Sequence, residues 1–259
     1  SPDSSKIAYA YGYGPDKLRV SGTSGNKRDI FAASEFRIGY PYFEWLNNNS
    51  VVLREELYNN EEKLWLIDAG ENNNKKELTS NLNEYFEEFA IAPDKRSLAF
   101  IANADEAAYL NISDTEGNVY VLYEIKVNDA RYCSPYILNA IWSPDGRKLA
   151  FIGGIGQGGG DGDFEVCSEL SGPSLFVVDM ATKKTASFAV QNHRIRLLVR
   201  WLADNISIVG LGYNNYNNIY SINSSTGEIM PLISNVNSDP FISPLERYIS
   251  YYQSVDLSS

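Results

Sequence analysis

The sequence predicts an all-β fold, a β-propeller of six blades whose two terminal blades are incomplete. Three observations carry this. A motif recurs at intervals of 41 to 59 residues, three of the four tryptophans fall in one slot of that repeat, and no long helical periodicity occurs anywhere.

The clearest copy is Trp142-Ser143-Pro144-Asp145-Gly146-Arg147-Lys148-Leu149-Ala150-Phe151. Ile91 to Phe100 and Ile242 to Tyr251 align with it residue for residue. Weaker copies are Trp45-Leu46-Asn47-Asn48-Asn49 and Trp201-Leu202-Ala203-Asp204-Asn205, and Pro2-Asp3 before Ile7-Ala8-Tyr9 is a sixth copy lacking its first strand. With the proline slot as anchor, the copies fall at 2, 47, 93, 144, 203 and 244. The chain opens in the middle of this motif, as a piece of a longer chain would; the repeats themselves make residues 1–259 one propeller domain.

Each repeat has a second half. Lys63–Asp68, Asn118–Tyr123, Ser174–Asp179 and Asn218–Asn223 are short and rich in β-branched and aromatic residues, and turn formers follow each. Asn223-Ser224-Ser225-Thr226-Gly227-Glu228 reads as a hairpin turn, with Ile229–Ile233 returning as the outermost strand. Pro231 suits that strand, because an outer edge needs no N–H donor there. Four short strands per repeat describe a propeller blade: A ends at the Trp/Ile slot, B follows the Pro-Asp turn, then C and D. A blade cannot bury both faces alone, so blades must stack. The first blade lacks strand A; the last supplies A near Phe241-Ile242 and B at Tyr248–Tyr252. A five-bladed ring closed by the C-terminal strands is the alternative.

Composition sets limits on function. The net charge of −11, from 33 acidic against 22 basic residues, argues against a nucleic-acid or anionic-membrane partner. No apolar run approaches the ~18 residues of a spanning helix, so no membrane insertion is expected. One histidine and two cysteines leave little material for metal or nucleophile chemistry.

The segments Trp142–Phe151 (W-S-P-D-G-x-K-L-A-F) and Ile219–Glu228 (I-Y-x-I-N-x-x-T-G-E) resemble the TolB-like, WD-repeat-like β-propeller family. The resemblance covers nearly the whole chain and is specific for architecture. It implies either a binding platform of a periplasmic protein or the non-catalytic gate of a prolyl-oligopeptidase-like enzyme. Asn47-Asn48 in the second copy and Ala203 in the fifth depart from the Pro-Asp pattern, while the apolar slots persist.

Candidate chemistry is sparse. The fourth blade's B–C connection, from about Gly153 to Pro173, holds Gly154, Gly156 and Gly159 at G-x-G-x-x-G spacing. The dinucleotide reading fails, because no helix follows and Asp161 and Asp163 would repel a pyrophosphate. Asp161, Asp163 and Glu165 alternate and offer hard oxygen ligands for a structural Ca²⁺, the sole cofactor in view. A plain acidic loop outweighs that reading, because calcium loops need more ligands at fixed spacing. No G-x-S-x-G, H-E-x-x-H or C-x-x-C motif occurs. His193 reads first as a surface residue, second as a contact in a binding mouth. Arg194 and Arg196 beside it make a small basic spot.

In propellers the D–A and B–C connections gather at one mouth. Tyr40, Tyr132, His193, Arg194, Tyr213 and Tyr216 all fall in such connections, so this mouth is the expected recognition face. Tyr beside Asn and Arg supplies apolar area and hydrogen bonds at low entropy cost. The expectation is a monomeric, non-catalytic platform for a protein or peptide, periplasmic or extracellular. A propeller hydrolase or lyase acting on saccharide or peptide is one alternative; a glycan or small-molecule sensor module is the other.

Cys133 lies just before strand A of the fourth blade and Cys167 in that blade's B–C connection. Strand A starts and strand B ends at the same mouth, so the geometry predicts a Cys133–Cys167 disulfide. Such a bond indicates an oxidising compartment.

Overall fold

The computed structural model describes residues 1–12, 17–32, 43–56, 62–70, 74–79, 85–104, 106–127, 133–156, 172–214, 216–236, 241–243 and 249–251, with backbone alone at 85–87, 213–217 and 241. The first sheet has three strands, β1 (Lys6–Tyr11), β2 (Lys17–Gly22) and β3 (Lys27–Ala32). The second has four: β4 (Phe43–Asn47), β5 (Ser50–Glu56), β6 (Glu62–Asp68) and β7 (Lys75–Glu77). So has the third: β8 (Tyr85–Ile91), β9 (Ser97–Asn103), β10 (Ala107–Asp114) and β11 (Val119–Lys126). The fourth holds β12 (Ser134–Trp142), β13 (Lys148–Gly156), β14 (Ser174–Asp179) and β15 (Thr185–Ala189). A 3-10 turn at Gln191–His193 leads to the fifth sheet, β16 (Ile195–Trp201), β17 (Ser207–Asn214), β18 (Tyr216–Asn223) and β19 (Ile229–Val236). A two-stranded sheet of β20 (Phe241–Ile242) and β21 (Ile249–Ser250) ends the series. Six successive sheets with short terminal members agree with the predicted repeat.

The strands of each sheet follow one another in chain order as an antiparallel meander. Among the described residues the first sheet has no strand A, and Pro231 sits on β19, which pairs with β18 alone. One expectation is corrected. In the third repeat the place of strand C belongs to β10, and of Asn118–Tyr123 all but Asn118 falls at the start of the outer strand β11. The reason is compositional: Ala107–Asp114 carries the buried polar residues Asn111 and Ser113, so its β signal is weaker than that of Val119–Lys126. A second correction concerns Gly153–Gly156, which belong to β13 and pair with Ile137–Ser134 instead of opening the connection.

Two compact units are distinguished: Ser1–Glu87 with Lys95–Leu98 and Asn111–Tyr120, and Glu88–Asp94 with Ala99–Leu110 and Val121–Ser259. In the first, Leu18, Val20, Ile30 and Phe31 of the first sheet pack on Val51, Leu53 and Ile67 of the second. In the other, Ala150, Ile152, Leu175 and Val177 of the fourth sheet pack on Ile195, Leu198, Ile208 and Tyr220 of the fifth. Phe151 stacks on Phe176 at 4.9 Å between centroids, and Tyr123 of β11 leans on both. Trp142, in the shared tryptophan slot, donates its indole N–H to the Ala90 carbonyl of β8 at 3.0 Å. Each such aromatic fills the gap between neighbouring sheets and fixes their approach.

The repeated turns explain the sequence motif. In the Ser143–Lys148 turn, Ser143 Oγ donates to Asp145 Oδ1 (2.7 Å) and accepts from the Lys148 N–H, while Arg147 N–H donates to Asp145 Oδ1. Ser1, Asp3, Ser5 and Lys6 repeat this network. The residue two past the anchor takes a left-handed conformation in four copies: Ser4, Lys95, Gly146 and Asn205. Glycine alone does so without strain, which accounts for the Pro-Asp-Gly spelling of the clearest copy. At the other hairpin, between the third and fourth strands, Asp68, Asp114, Asp179 and Asn223 each accept N–H bonds from the turn that follows.

These carboxylates are held below their ordinary range. Ser1 Oγ and the Ser5 N–H take Asp3 down to about 2. The Asn118 side chain lowers Asp114, the Arg147 N–H lowers Asp145 and the Thr182 N–H lowers Asp179. Because the folded values lie below the unfolded ones, their contribution is complete above the ordinary carboxylate range and disappears as pH falls through the folded values. The melting temperature should therefore drop between about pH 4 and pH 2. In a pH series of thermal melts, Asp145→Asn should show a shallower drop than the parent, and an equal drop would refute the assignment.

Candidate functional site

The hairpin between β17 and β18 has Tyr213 opposite Asn217 and Asn214 opposite Tyr216. The 3-10 turn reaches the same end. His193 N–H bonds Val190 O, Arg194 N–H bonds Gln191 O, and Arg194 takes a left-handed conformation (φ 46, ψ 42) that turns the chain into β16. Ile195 then pairs with Gly212, so Arg194 and Tyr213 are the next residues outward along the two strands. The approach is close: a Cβ on Gly212 would collide with the His193 carbonyl oxygen. Only a glycine fits there.

His193 is half-buried, its ring edge-on to Tyr220 at 5.2 Å between centroids. The ring is thus partly accessible and partly packed at this end. Arg194 is exposed. Deeper, Tyr136 of β12 is buried, and burial pushes its phenol up to about 12, partly offset by the charge of Arg196. Gly154 leaves the room for it, since a Cβ there would meet the Tyr136 hydroxyl at 2.8 Å. The result is a strand end where the Arg194 side chain is exposed beside a half-buried His193 ring, with Tyr136 and Tyr220 buried beneath.

Of the six expected recognition residues, the structure brings His193, Arg194 and the backbones of Tyr213 and Tyr216 together. Tyr40 and Tyr132 lie outside the described residues, as do Asp161, Asp163, Glu165 and Cys167. Among the described residues no group of three His, Cys, Asp or Glu is placed to hold a metal ion. Cys133 is half-buried immediately before β12, and no cysteine among the described residues is free. Tyr136 and Tyr220 were not picked out by sequence; a Tyr in a β-strand carries no mark of which end it faces.

The second sheet contains an arrangement that the sequence hides. Arg54 and Glu62, at facing ends of β5 and β6, form a two-pronged ion pair: Nε donates to Oε2 at 2.7 Å and Nη2 to Oε1. Their side chains are 10% and 0% exposed. Glu55 beside them is buried, and its Oε2 accepts the Trp65 indole N–H at 2.8 Å. Nothing in the spacing of these residues along the sequence marks the pair.

Comparison with known proteins shows the fold. No family model matches the chain, and no curated protein matches it in sequence. Solved structures do. TolB from Acinetobacter baumannii superposes with a TM-score of 0.54 at 16% identity, covering 95% of this chain and 57% of that one. Porphyromonas gingivalis dipeptidyl peptidase 4 gives 0.56 at 13% identity, covering 91% and 39%. Kuenenia stuttgartiensis hydrazine synthase gives 0.58 at 14%, covering 97% and 71%. The chain thus has a TolB-like β-propeller fold and spans little more than half the length of that TolB. Among the described residues no helix is long and apolar enough to cross a membrane.

The buried ion pair makes a direct prediction. Removing one partner leaves a buried charge, so Glu62→Ala should cost about 3 kcal/mol or more in urea unfolding. Arg54→Met combined with Glu62→Leu should cost less than either single change, because no charge is stranded. Additive losses would show that the pair is not the coupled unit described.

Proposed function

We propose that the chain is a non-catalytic propeller platform that binds a protein or peptide partner at the strand end carrying His193, Arg194, Tyr213 and Tyr216. The supporting observation is the close approach of the His193 carbonyl to Gly212, which joins the 3-10 turn and the β17–β18 hairpin into one surface. Arg194 offers that surface a paired-donor contact for a carboxylate on a protein of net charge −11, and the tyrosines offer amphipathic area. The partner is therefore a peptide or loop presenting an acidic group beside an apolar one. An extracytoplasmic setting belongs to the same reading, through a Cys133–Cys167 disulfide that ties the connection after β13 to the start of β12. The chain has only two cysteines, and Cys133 is not free. A disulfide closing a loop of this size contributes roughly 3–4 kcal/mol in the chain-entropy model.

Two measurements test the reading. Wild-type protein and the Tyr213→Ala/Tyr216→Ala variant, used as parallel baits on extract of the source cell, should differ in the partner retained. The affinity for that partner should fall at least tenfold in the variant and in Arg194→Ala, as expected for anchors worth about 2 kcal/mol. Equal affinity in all three proteins would overturn the proposed face. For the disulfide, alkylation without reductant should add no label to the native or denatured chain, and reduction should expose two reactive thiols. Labelling before reduction would remove both the bond and the compartment.

A further inference from the structure

The opposite strand end of the fourth and fifth sheets holds an open surface pocket of about 370 Å³, lined by Lys148, Asp179, Lys184, Thr185, Ser224 and Ser225. We propose that it is a second binding site, for a small organic anion whose carboxylate or phosphate group is held between the two lysines.

The repeat itself shows why the pocket is there. In the second and third sheets, Lys76 of β7 reaches Glu116, on the turn after β10, at 3.1 Å. Glu116 is the turn residue whose N–H donates to Asp114 Oδ1; its equivalent in the fifth sheet is Ser225, whose N–H donates to Asn223 Oδ1. Lys76 lies opposite Leu66, and the matching position in the fourth sheet is Ala186, opposite Val177. Alanine and serine thus stand where the earlier repeats place an ion pair. Two long side chains are replaced by two short ones, and the space between them opens onto Lys148 and Lys184.

The two lysines at this place make no direct contact with a carboxylate, and Lys148 acts on Asp179 only through its charge. Neither lysine ammonium has a hydrogen bond or ion pair among the described residues, while the Lys76 ammonium has its carboxylate. Ser224 is 2% exposed, and its hydroxyl has no hydrogen-bond partner among the described residues. A buried hydroxyl without a partner is uncommon and marks a site where something is missing. Asp179 is the sole carboxylate in the lining, and Oδ1 is already occupied by the Ala181 and Thr182 N–H groups and the Thr182 hydroxyl. The pocket therefore carries a net positive charge on a strongly acidic protein. Its volume lies at the lower end of the small-ligand range, larger than a bare oxyanion needs. Val177 and Ala186 give one wall an apolar surface, and Thr185 and Ser225 supply hydroxyls. That combination suits the size and mixed polarity of a monosaccharide bearing a carboxylate or phosphate.

The test uses glucuronate, glucose 6-phosphate, inorganic phosphate and glucose as probes, followed by amide chemical-shift titration of the whole chain. Saturable shifts confined to residues around Lys148, Lys184 and Ser225 are expected with the two sugar anions at ~10 mM or below, and none with glucose. Inorganic phosphate separates the sources of affinity: binding equal to that of glucose 6-phosphate assigns recognition to the oxyanion alone, and weaker binding assigns a share to the sugar. Lys148→Met or Lys184→Met should each weaken binding about tenfold, as for a lost charged hydrogen bond. Ala186→Lys with Ser225→Glu should restore the ion pair of the earlier repeats and abolish binding; a melting curve and an unchanged spectrum elsewhere verify that it folds. Absence of saturable shifts, shifts scattered over all lysines, or binding indifferent to both lysine variants would overturn the proposal. None of these outcomes depends on the tyrosine face, which lies at the other end of the same strands.

Discussion

A four-stranded antiparallel sheet has two faces, and in this protein both are apolar. Along β13 the residues from Leu149 to Gly154 are buried without a break, which no sheet with one solvated face can show. β5, β9 and β17 show the same unbroken burial, so the second to fifth sheets each require a neighbour on both faces, whereas β2 of the first sheet alternates. The contact of Ile152 and Leu175 with Ile195 and Tyr220 is one instance of that requirement; the contact of Leu53 with Leu18 is another. At ~25 cal/mol per Å² of apolar surface, such faces supply the dominant favourable term, and the rest of the structure is arranged so that they can meet.

That constraint separates the strand middles from the strand ends. The middles are interchangeable aliphatic surface, and glycine enters there only where a neighbour needs its space, as Gly153 does for Ile125. The ends carry hairpins whose geometry is set locally by Asp, Asn and Ser hydrogen bonds, so their remaining side chains are free to vary. One end holds the His193 and Arg194 turn against the β17–β18 hairpin. The other holds the Asx-type turns and the lysine-lined pocket. Chemistry concentrates at the ends because packing leaves it nowhere else to go.

What was legible in the sequence follows the same division. The Trp142 slot, the Ser-Pro-Asp-Gly turn and Pro231 on an outer strand could be read because each is fixed by a local steric or hydrogen-bond rule. Strand β10 was misread, because its place is settled by packing and the buried Asn111 and Ser113 mask its apolar face. The Arg54–Glu62 pair was invisible for a related reason: a charge run betrays nothing about burial, which depends on strands distant in sequence. At the candidate recognition face, position along the repeat located His193, Arg194, Tyr213 and Tyr216. The packing of His193 on Tyr220 required coordinates.

Repetition offers one further lever. In a chain without repeats, a lysine with no partner at the surface is unremarkable, since surface pairs contribute about 0–1 kcal/mol. In a repeat protein each position has internal counterparts, and a departure can be judged against them. Lys76 and Glu116 meet where Ala186 and Ser225 do not, although the Asx turns on both sides keep the same hydrogen bonds. The scaffold is therefore unchanged while its surface chemistry differs. A weak surface ion pair can be exchanged for an open pocket at little cost in stability, and that makes strand ends of stacked sheets places where binding sites can arise without disturbing the apolar faces beneath.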